Sequence, residues 1–298
     1  MVLDVHRLRL LREVQRLGTL AAVARALSYS PSAISQQLAQ LEAEAGVPLL
    51  EPVGRGVRLT EQARVLVRHT EAILHRLELA RAELAASLDE VAGTLRVASF
   101  QTVVLALVPT ALTELAQRHP GLRVEITHRD PDAAYAGLLA RDHDIVLGEE
   151  YPGLPTPPDP GVETEDLAHD ELRLALPARG PHRRATTRPA DLAAIPWVLE
   201  PPDTPPGRWA LTACRTMGFE PDVRFESPDV LLQVHLVEKG LAAALLPDLL
   251  WTDRAHTVRL RRLPARPHRR LFTAVRSGAT THPAVRVFRE ALHRARTG

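Results

Sequence analysis

The chain of 298 residues contains a single cysteine, Cys214, and a single lysine, Lys239. One cysteine cannot form a disulfide within the chain, so the fold has to rest on its apolar core. No Cys-x-x-Cys, His-x-x-x-His or His-Glu-x-x-His spacing occurs among the thirteen histidines and the lone cysteine, which leaves no metal motif. Gly-x-Ser-x-Gly, Walker and Gly-x-Gly-x-x-Gly loops are missing too, so the residues that carry hydrolase, nucleotidase and dinucleotide chemistry are not there. No catalysis, cofactor or metal is therefore expected. Long apolar runs are also lacking, which excludes a membrane-spanning helix. Met1-Val2-Leu3-Asp4 has neither the basic start nor the apolar stretch of a secretory signal, and the expected compartment is the cytoplasm. Neither sign of charge dominates. Thirty-seven basic against 36 acidic residues give +1, a balance that by itself counts against a nucleic-acid partner.

That balance is uneven along the chain. Residues 1–70 hold nine arginines against six acidic residues, a local +3, and the remainder carries 28 basic against 30 acidic residues. The length suits two domains, and 45% hydrophobic with 24% charged residues suits a globular protein. Asp4 can cap a first helix with Leu8, Leu11 and Val14 at helical spacing and a glycine stop at Gly18. Thr19 can cap a second, built of small residues from Leu20 to Ala26. Ser30-Pro31 joins a hydroxyl cap to a proline at the first helical position and starts a third helix ending near Ala45, with Ile34, Leu38 and Leu41 on one face. Pro48 to Leu59, centred on Gly54-Arg55-Gly56, reads as a hairpin or wing. From Thr60 about thirty residues pass without proline or glycine up to Gly93, enough for a helix of roughly 45 Å. Leu66, Ile73, Ala80 and Ser87 at one heptad position and Ala63, Thr70, Leu77, Leu84 and Val91 at the other give a 3.5-residue seam.

Beyond Gly93 strands alternate with helices: strand 95–100, helix 103–118, strand 122–126, helix 131–140 and strand 144–147. Such a βαβαβ run implies a mostly parallel sheet covered by helices. A proline-rich loop, 152–161, precedes a second α/β unit with strands at 172–176, 197–200, 223–226, 241–246 and 258–263 and helices near 208–217 and 228–238. A strand at 270–275 and a closing helix at 283–296 are expected to return to the first unit. The fold class is α/β overall. The domains expected are an N-terminal winged helix-turn-helix at 1–60, a linker helix at 61–92 and a two-lobed α/β domain at 93–298, with lobe I about 93–165 plus 268–298 and lobe II about 166–267.

In a helix-turn-helix the third helix enters the major groove by its N-terminal end. That places Pro31, Ser32, Ser35 and Gln36 at base edges, glutamine being able to pair with adenine. Thr19, Gln37, Arg55 and Arg58 are the candidates for phosphate. Read without context, the same residues are exposed positions on an amphipathic helix.

The segment Leu-Gly-Thr-Leu-Ala-Ala-Val-Ala-Arg-Ala-Leu-Ser-Tyr-Ser-Pro-Ser-Ala-Ile-Ser-Gln-Gln-Leu-Ala-Gln-Leu-Glu (17–42) is followed by Ala-Gly-Val-Pro-Leu-Leu (45–50) and Arg-Gly-Val-Arg-Leu-Thr (55–60). Together they resemble the LysR-type transcriptional regulators, and the later architecture extends the resemblance over essentially the whole chain. Leu20 replaces the family's aromatic, Ala21 the hydroxyl residue after it, and Pro52 the arginine usual before the wing turn. The resemblance implies a sequence-specific, ligand-responsive DNA-binding regulator whose effector domain is like a periplasmic solute-binding protein. It implies a homodimer through the linker, with Leu66, Ile73, Leu77 and Leu84 in the seam, or a homotetramer. It also implies double-stranded DNA with inverted-repeat half-sites as partner, with RNA polymerase as a further candidate. A small effector, anionic if helix starts bind it, would sit between the lobes. The matching positions are Ser99, Phe100, Gln101, Thr102, Pro202, Thr204 and Ser227. Thr102 and Ser227 read equally well as plain helix caps. The alternative is a small-molecule-binding protein or enzyme whose N-terminal helices serve only oligomerisation.

Overall fold

A computed structural model describes residues 2–27, 29–54, 56–252, 255 and 257–297. Three helices, α1 (Val5–Leu17), α2 (Leu20–Ala26) and α3 (Pro31–Ala45), open the chain. Each starts as its cap residue dictates: Asp4 accepts from Arg7 N, Thr19 from Ala22 N and Ser30 from Ala33 N. Gly18 and Gly46 end α1 and α3 in the left-handed conformation. Leu8, Leu11, Val14, Val23, Ile34, Leu38 and Leu41 close on one another to form the core of this domain. The wing is a hairpin of β1 (Leu50–Val53) and β2 (Gly56–Leu59). Glu42 near the end of α3 accepts from the amides of both Leu49 and Leu50, which fixes the wing to α3.

Thr60 caps α4 (Glu61–Ala86), its oxygen accepting from Ala63 N while its hydroxyl donates to Pro48 O. The helix stops about two turns short of Gly93, and the Ser87 hydroxyl donates back to Leu84 O. It carries two apolar stripes where the heptad pattern suggests one. Ala63, Val67, Thr70, Leu74, Glu78 and Ala82 are buried against the chain's own domains. Ile73, Leu77 and Leu84 face outward, Leu84 being 70% exposed, and Leu66 is half-buried beside the winged domain.

The second half is built on β3 (Gly93–Ser99), α5 (Gln101–Ala106), α6 (Val108–Arg118), β4 (Leu122–His128), α7 (Pro131–Ala140) and β5 (Ile145–Glu150). The helix expected over 103–118 breaks at Leu107, because Pro109 has no N–H for the ladder. Then follow β6 (Val162–Leu176), α8 (Pro189–Ala193), β7 (Pro196–Leu199), α9 (Pro205–Thr216), β8 (Asp222–Glu226), α10 (Val230–Glu238), β9 (Ala244–Pro247), β10 (Arg259–Arg262), β11 (His268–Arg276) and α11 (Pro283–Thr297). β3 pairs in parallel with β4 and β5, whereas β11 runs antiparallel to β5 and β6, so the sheet is mixed. β6 is ten residues longer at its start than the sequence pattern suggests. It pairs with β11 up to Glu171 and with β9 and β10 from Leu172 on, carrying the sheet from one lobe into the other. α11 returns to the first lobe and packs Val285, Phe288 and Leu292 into its core. No helix among the described residues is long and apolar enough to cross a membrane.

Candidate nucleic-acid interface and effector cavity

α3 buries Ile34, Leu38 and Leu41 and leaves Pro31, Ser32, Ser35 and Gln36 exposed on its opposite side. The four sequence-selected residues thus form one outward face at the N-terminal end of the helix. Ser32 shares a 3.0 Å hydrogen bond with Ser30, which orients its hydroxyl, and Ser35 and Gln36 stand on the next turn. The phosphate candidates are dispersed. Thr19 is exposed and accepts from Ala22 N, so its hydroxyl proton is still available to donate. Gln37 turns inward, its Oε1 accepting from Arg7 Nε at 3.0 Å beside Glu44. Arg58 lies cross-strand from Glu51 on the wing and ion-pairs with it at 2.8 Å, mostly in solvent. Arg55 lies outside the described residues. Arg25, exposed on α2, is a further cation of this domain that motif spacing did not single out.

The hydroxyls selected for the effector are largely engaged within the protein. Ser99 Oγ donates to Phe100 O, Ser227 Oγ accepts from Asp229 N, and Thr204 Oγ1 accepts from Gly207 N and donates to Pro201 O. Thr102 Oγ1 accepts from the buried Arg269. Gln101 bridges the lobes, donating to Asp229 Oδ1 at 3.0 Å and accepting from Val230 N at 3.1 Å. Pro202 is exposed. Of the sequence-selected set, only Phe100 lines the open cavity next to this clasp.

That cavity, about 280 Å³, lies between β5, α7, the segment 151–157 and the start of α9. Its walls include Phe100, Tyr135, Tyr151 and Phe272, and its rim carries Arg129 from lobe I and Arg208 from lobe II. Gly148 is required in the wall, because a Cβ there would come within 2.5 Å of the Phe272 ring. The two arginines are exposed, and among the described residues Arg129's side chain makes a long contact to His128 O. An aromatic body with two cations at its mouth suits a small anion with an apolar skeleton.

Beneath the cavity is an ionic centre. Arg269, 2% exposed, donates through Nε to Asp170 at 2.9 Å, through Nη1 to Glu149 and through Nη2 to Thr102 at 2.7 Å, and lies 5.4 Å from the Phe100 ring centre. Burial opposes its charge, but Glu149, Tyr151 and Asp170 more than offset that and hold it ionised. Glu200, at the end of β7, is pushed up to about 8 by burial and by the Glu149 carboxylate, with Arg269 acting in the opposite sense. A carboxyl that keeps its proton in the folded state and loses it in the unfolded one subtracts stability as pH rises. The loss begins near 4.5 and is complete near 8. Glu200→Gln is therefore expected to gain on the wild type by about 3 kcal/mol between pH 5 and 8 in urea unfolding. A gain independent of pH would show that Glu200 ionises normally.

Two family models match the chain: "Bacterial regulatory helix-turn-helix protein, lysR family" over residues 5–64 and "LysR substrate binding domain" over residues 88–297. Among curated proteins, the HTH-type transcriptional regulator ClcR of Pseudomonas putida is 30% identical, over 84% of this chain and 86% of its own length. The probable HTH-type transcriptional regulator LrrA of Synechococcus elongatus is 28% identical over 97% and 96%. Among solved structures, full-length CbnR in complex with its target DNA superposes with a TM-score of 0.55 at 25% identity, covering 98% of this chain and 99% of that one. HinK, a LysR family transcriptional regulator from Pseudomonas aeruginosa, gives a TM-score of 0.57 at 20% identity over 98% of both chains, a likeness of fold.

Proposed function

This chain belongs to the LysR family of DNA-binding transcriptional regulators, and on that premise we propose that it reads an inverted-repeat operator as a dimer joined through α4 and responds to a small anionic effector taken up in the aromatic cavity. It pairs a helix-turn-helix domain with an effector-binding domain, as regulators of this family do. The observation that carries the reading is the outward face of α3, where Pro31, Ser32, Ser35 and Gln36 stand free of the core at the end of the helix that would enter the groove. In this reading the protein acts in the cytoplasm beside the chromosome and RNA polymerase and performs no catalysis. Arg129 and Arg208 supply the charge that holds the effector, and Phe100, Tyr135 and Phe272 the apolar surface. A ligand with unequal affinity for two lobe arrangements is what would change half-site spacing or DNA bend.

The test is selection of duplexes from a random pool, followed by footprinting. Two protected half-sites are expected, with affinity falling as salt rises. Gln36→Ala is expected to relax preference at one base pair of each half-site, at a cost of about 1–3 kcal/mol for the preferred base. Arg58→Ala should weaken all sequences alike and flatten the salt dependence. An unchanged sequence preference in Gln36→Ala would remove that residue from the reading face. A chain that retains no duplex would favour the oligomerisation reading of its N-terminal helices.

A further inference from the structure

One helix touches both the cavity and the DNA-binding domain. The first turn of α7, with Pro131, Asp132, Ala134 and Tyr135, lines the cavity. Its last turn, roughly 10 Å away along a helix of ten residues, meets α1, and the residue just beyond it meets α4. A helix end leaves carbonyls without intrahelical partners, and here arginines from elsewhere take them. Arg276 donates to Leu138 O at 2.9 Å. Arg9 of α1 reaches Leu139 O at 3.1 Å and Ala140 O at 3.4 Å. Positive charge at this end also complements the helix dipole.

The residue after α7 tightens the junction. Arg141 holds a left-handed backbone at φ 75, a conformation that costs a non-glycine residue energy and persists only where its surroundings enforce it. Its guanidinium ion-pairs with Glu78 of α4, which is 5% exposed and also takes Arg276 at 3.3 Å. The winged domain, the linker helix and the effector domain thus meet at the C-terminal end of α7.

We propose that α7 is the lever that couples the cavity to the DNA-binding domain: what displaces its first turn changes the grip of Arg9 on its last turn and of Glu78 on Arg141 just beyond it, and with them the seat of α1 and the aim of α3. A ten-residue helix with intact hydrogen bonds moves as a body, so the displacement is not dissipated along it. By linkage, DNA that reseats α1 alters effector affinity by the same factor. This rests on reading the cavity as the effector site.

The test is a double-mutant cycle on the full chain, read as dissociation constant for a duplex recovered by selection. Tyr135→Ala perturbs the cavity end and Arg9→Met the grip, which lies away from the exposed face of α3. Tyr135→Ala is expected to change affinity at least roughly threefold in the wild type and less than about 1.5-fold in the Arg9→Met background, the non-additivity that coupled sites show. Additive effects, or no effect of Tyr135→Ala in the wild type, would overturn the lever. Asp132→Arg, exposed on the same turn, repeats the cycle without disturbing the Tyr135 packing and is expected to give the same pattern. The cycle uses no ligand, so it fails independently of the cavity reading. That reading is tested by whether benzoate raises the melting temperature of the wild type but not of Arg208→Ala.

Discussion

A Leu77→Glu/Leu84→Glu double variant is expected to sediment as a monomer and to lose operator affinity by about a hundredfold or more while melting close to the wild type. Both side chains lie on the outward stripe of α4, 40% and 70% exposed, so charging them leaves the buried stripe of the helix intact. Surface changes of this kind usually alter stability by about 0.5 kcal/mol or less. Their effect would fall on association. Four carboxylates brought together at a helix pair are repelled and must be desolvated, which no alternative packing relieves. The reader domain is only modestly basic, and one copy holding one half-site has little to add to its base contacts. Joining two copies makes the second half-site an intramolecular partner and multiplies affinity by about 10²–10⁴ without any new contact. Sedimentation equilibrium and titration against full and half operators separate the two effects. A variant that stays dimeric, or a wild type that binds half and full operators equally well, would show that α4 pairing does not supply the affinity. Leu74→Glu, on the buried stripe, is the contrasting case, because it should unfold the chain locally whatever the assembly.

That contrast marks how far the linker was legible in the sequence. The heptad pattern picked out Ala63, Thr70, Ile73, Leu77 and Leu84 but passed over Val67, Leu74 and Ala82 of the buried stripe, and it merged two faces into one. Ala63 and Thr70 turn toward the chain's own domains, and Ile73, Leu77 and Leu84 turn away. On a straight helix a 3.5-residue seam drifts by about 20° per heptad, so positions that share a heptad letter leave the buried face along the 26 residues of α4. α7, by contrast, was read with its observed bounds, since Pro131 starts it and the polar run from Arg141 ends it. Only the end of β6, 172–176, is legible as strand, because its first half, Val162 to His169, carries Glu163, Glu165 and Asp166. These acids are matched by Thr280, Arg289 and Arg270, more than a hundred residues away. Local pattern rules count such a segment as polar loop.

The cavity was illegible for a related reason. Hydroxyls at helix starts are visible in a sequence, and so is their capacity to cap. Which use prevails depends on what the rest of the chain brings alongside. In this protein the cap prevails at Thr204, Ser227 is held in a turn by Asp229 N while Asp229 itself caps α10, and Thr102 is claimed by an arginine 167 residues later. Arg129 and Arg208 stand at one rim although 79 positions separate them in the sequence, and no motif joins them. The recognition face of α3 lies at the other extreme. Its fold signals and its candidate base-reading positions share one short segment, so a local reading reaches both the helix and its exposed face.

Arg269→Met is expected to cost about 3–5 kcal/mol, because it leaves two carboxylates facing each other in a place the guanidinium was shielding. Asp170 is 6% exposed, and Arg269 is its only cationic partner within the described contacts. Glu149 would then face a Glu200 that already resists ionising. At about 2–4 °C per kcal/mol for a domain of this size, the melting temperature should fall by roughly 10 °C. Arg269→Lys keeps the charge but not the planar fork that reaches Asp170, Glu149 and Thr102 at once, so it should recover only part of the loss. Removing the acids together with the base is the sharper measurement. A triple Arg269→Met/Glu149→Gln/Asp170→Asn chain is expected to be more stable than Arg269→Met alone, since replacing a whole buried ionic group costs far less than orphaning part of it. If Arg269→Met melts within about 2 °C of the wild type, water or a rearranged side chain neutralises those carboxylates, and the centre does not fix the join between β5, β6 and β11. The same comparison made at pH 5 and pH 8 separates Glu200, whose cost grows with pH, from Arg269, whose contribution persists at both.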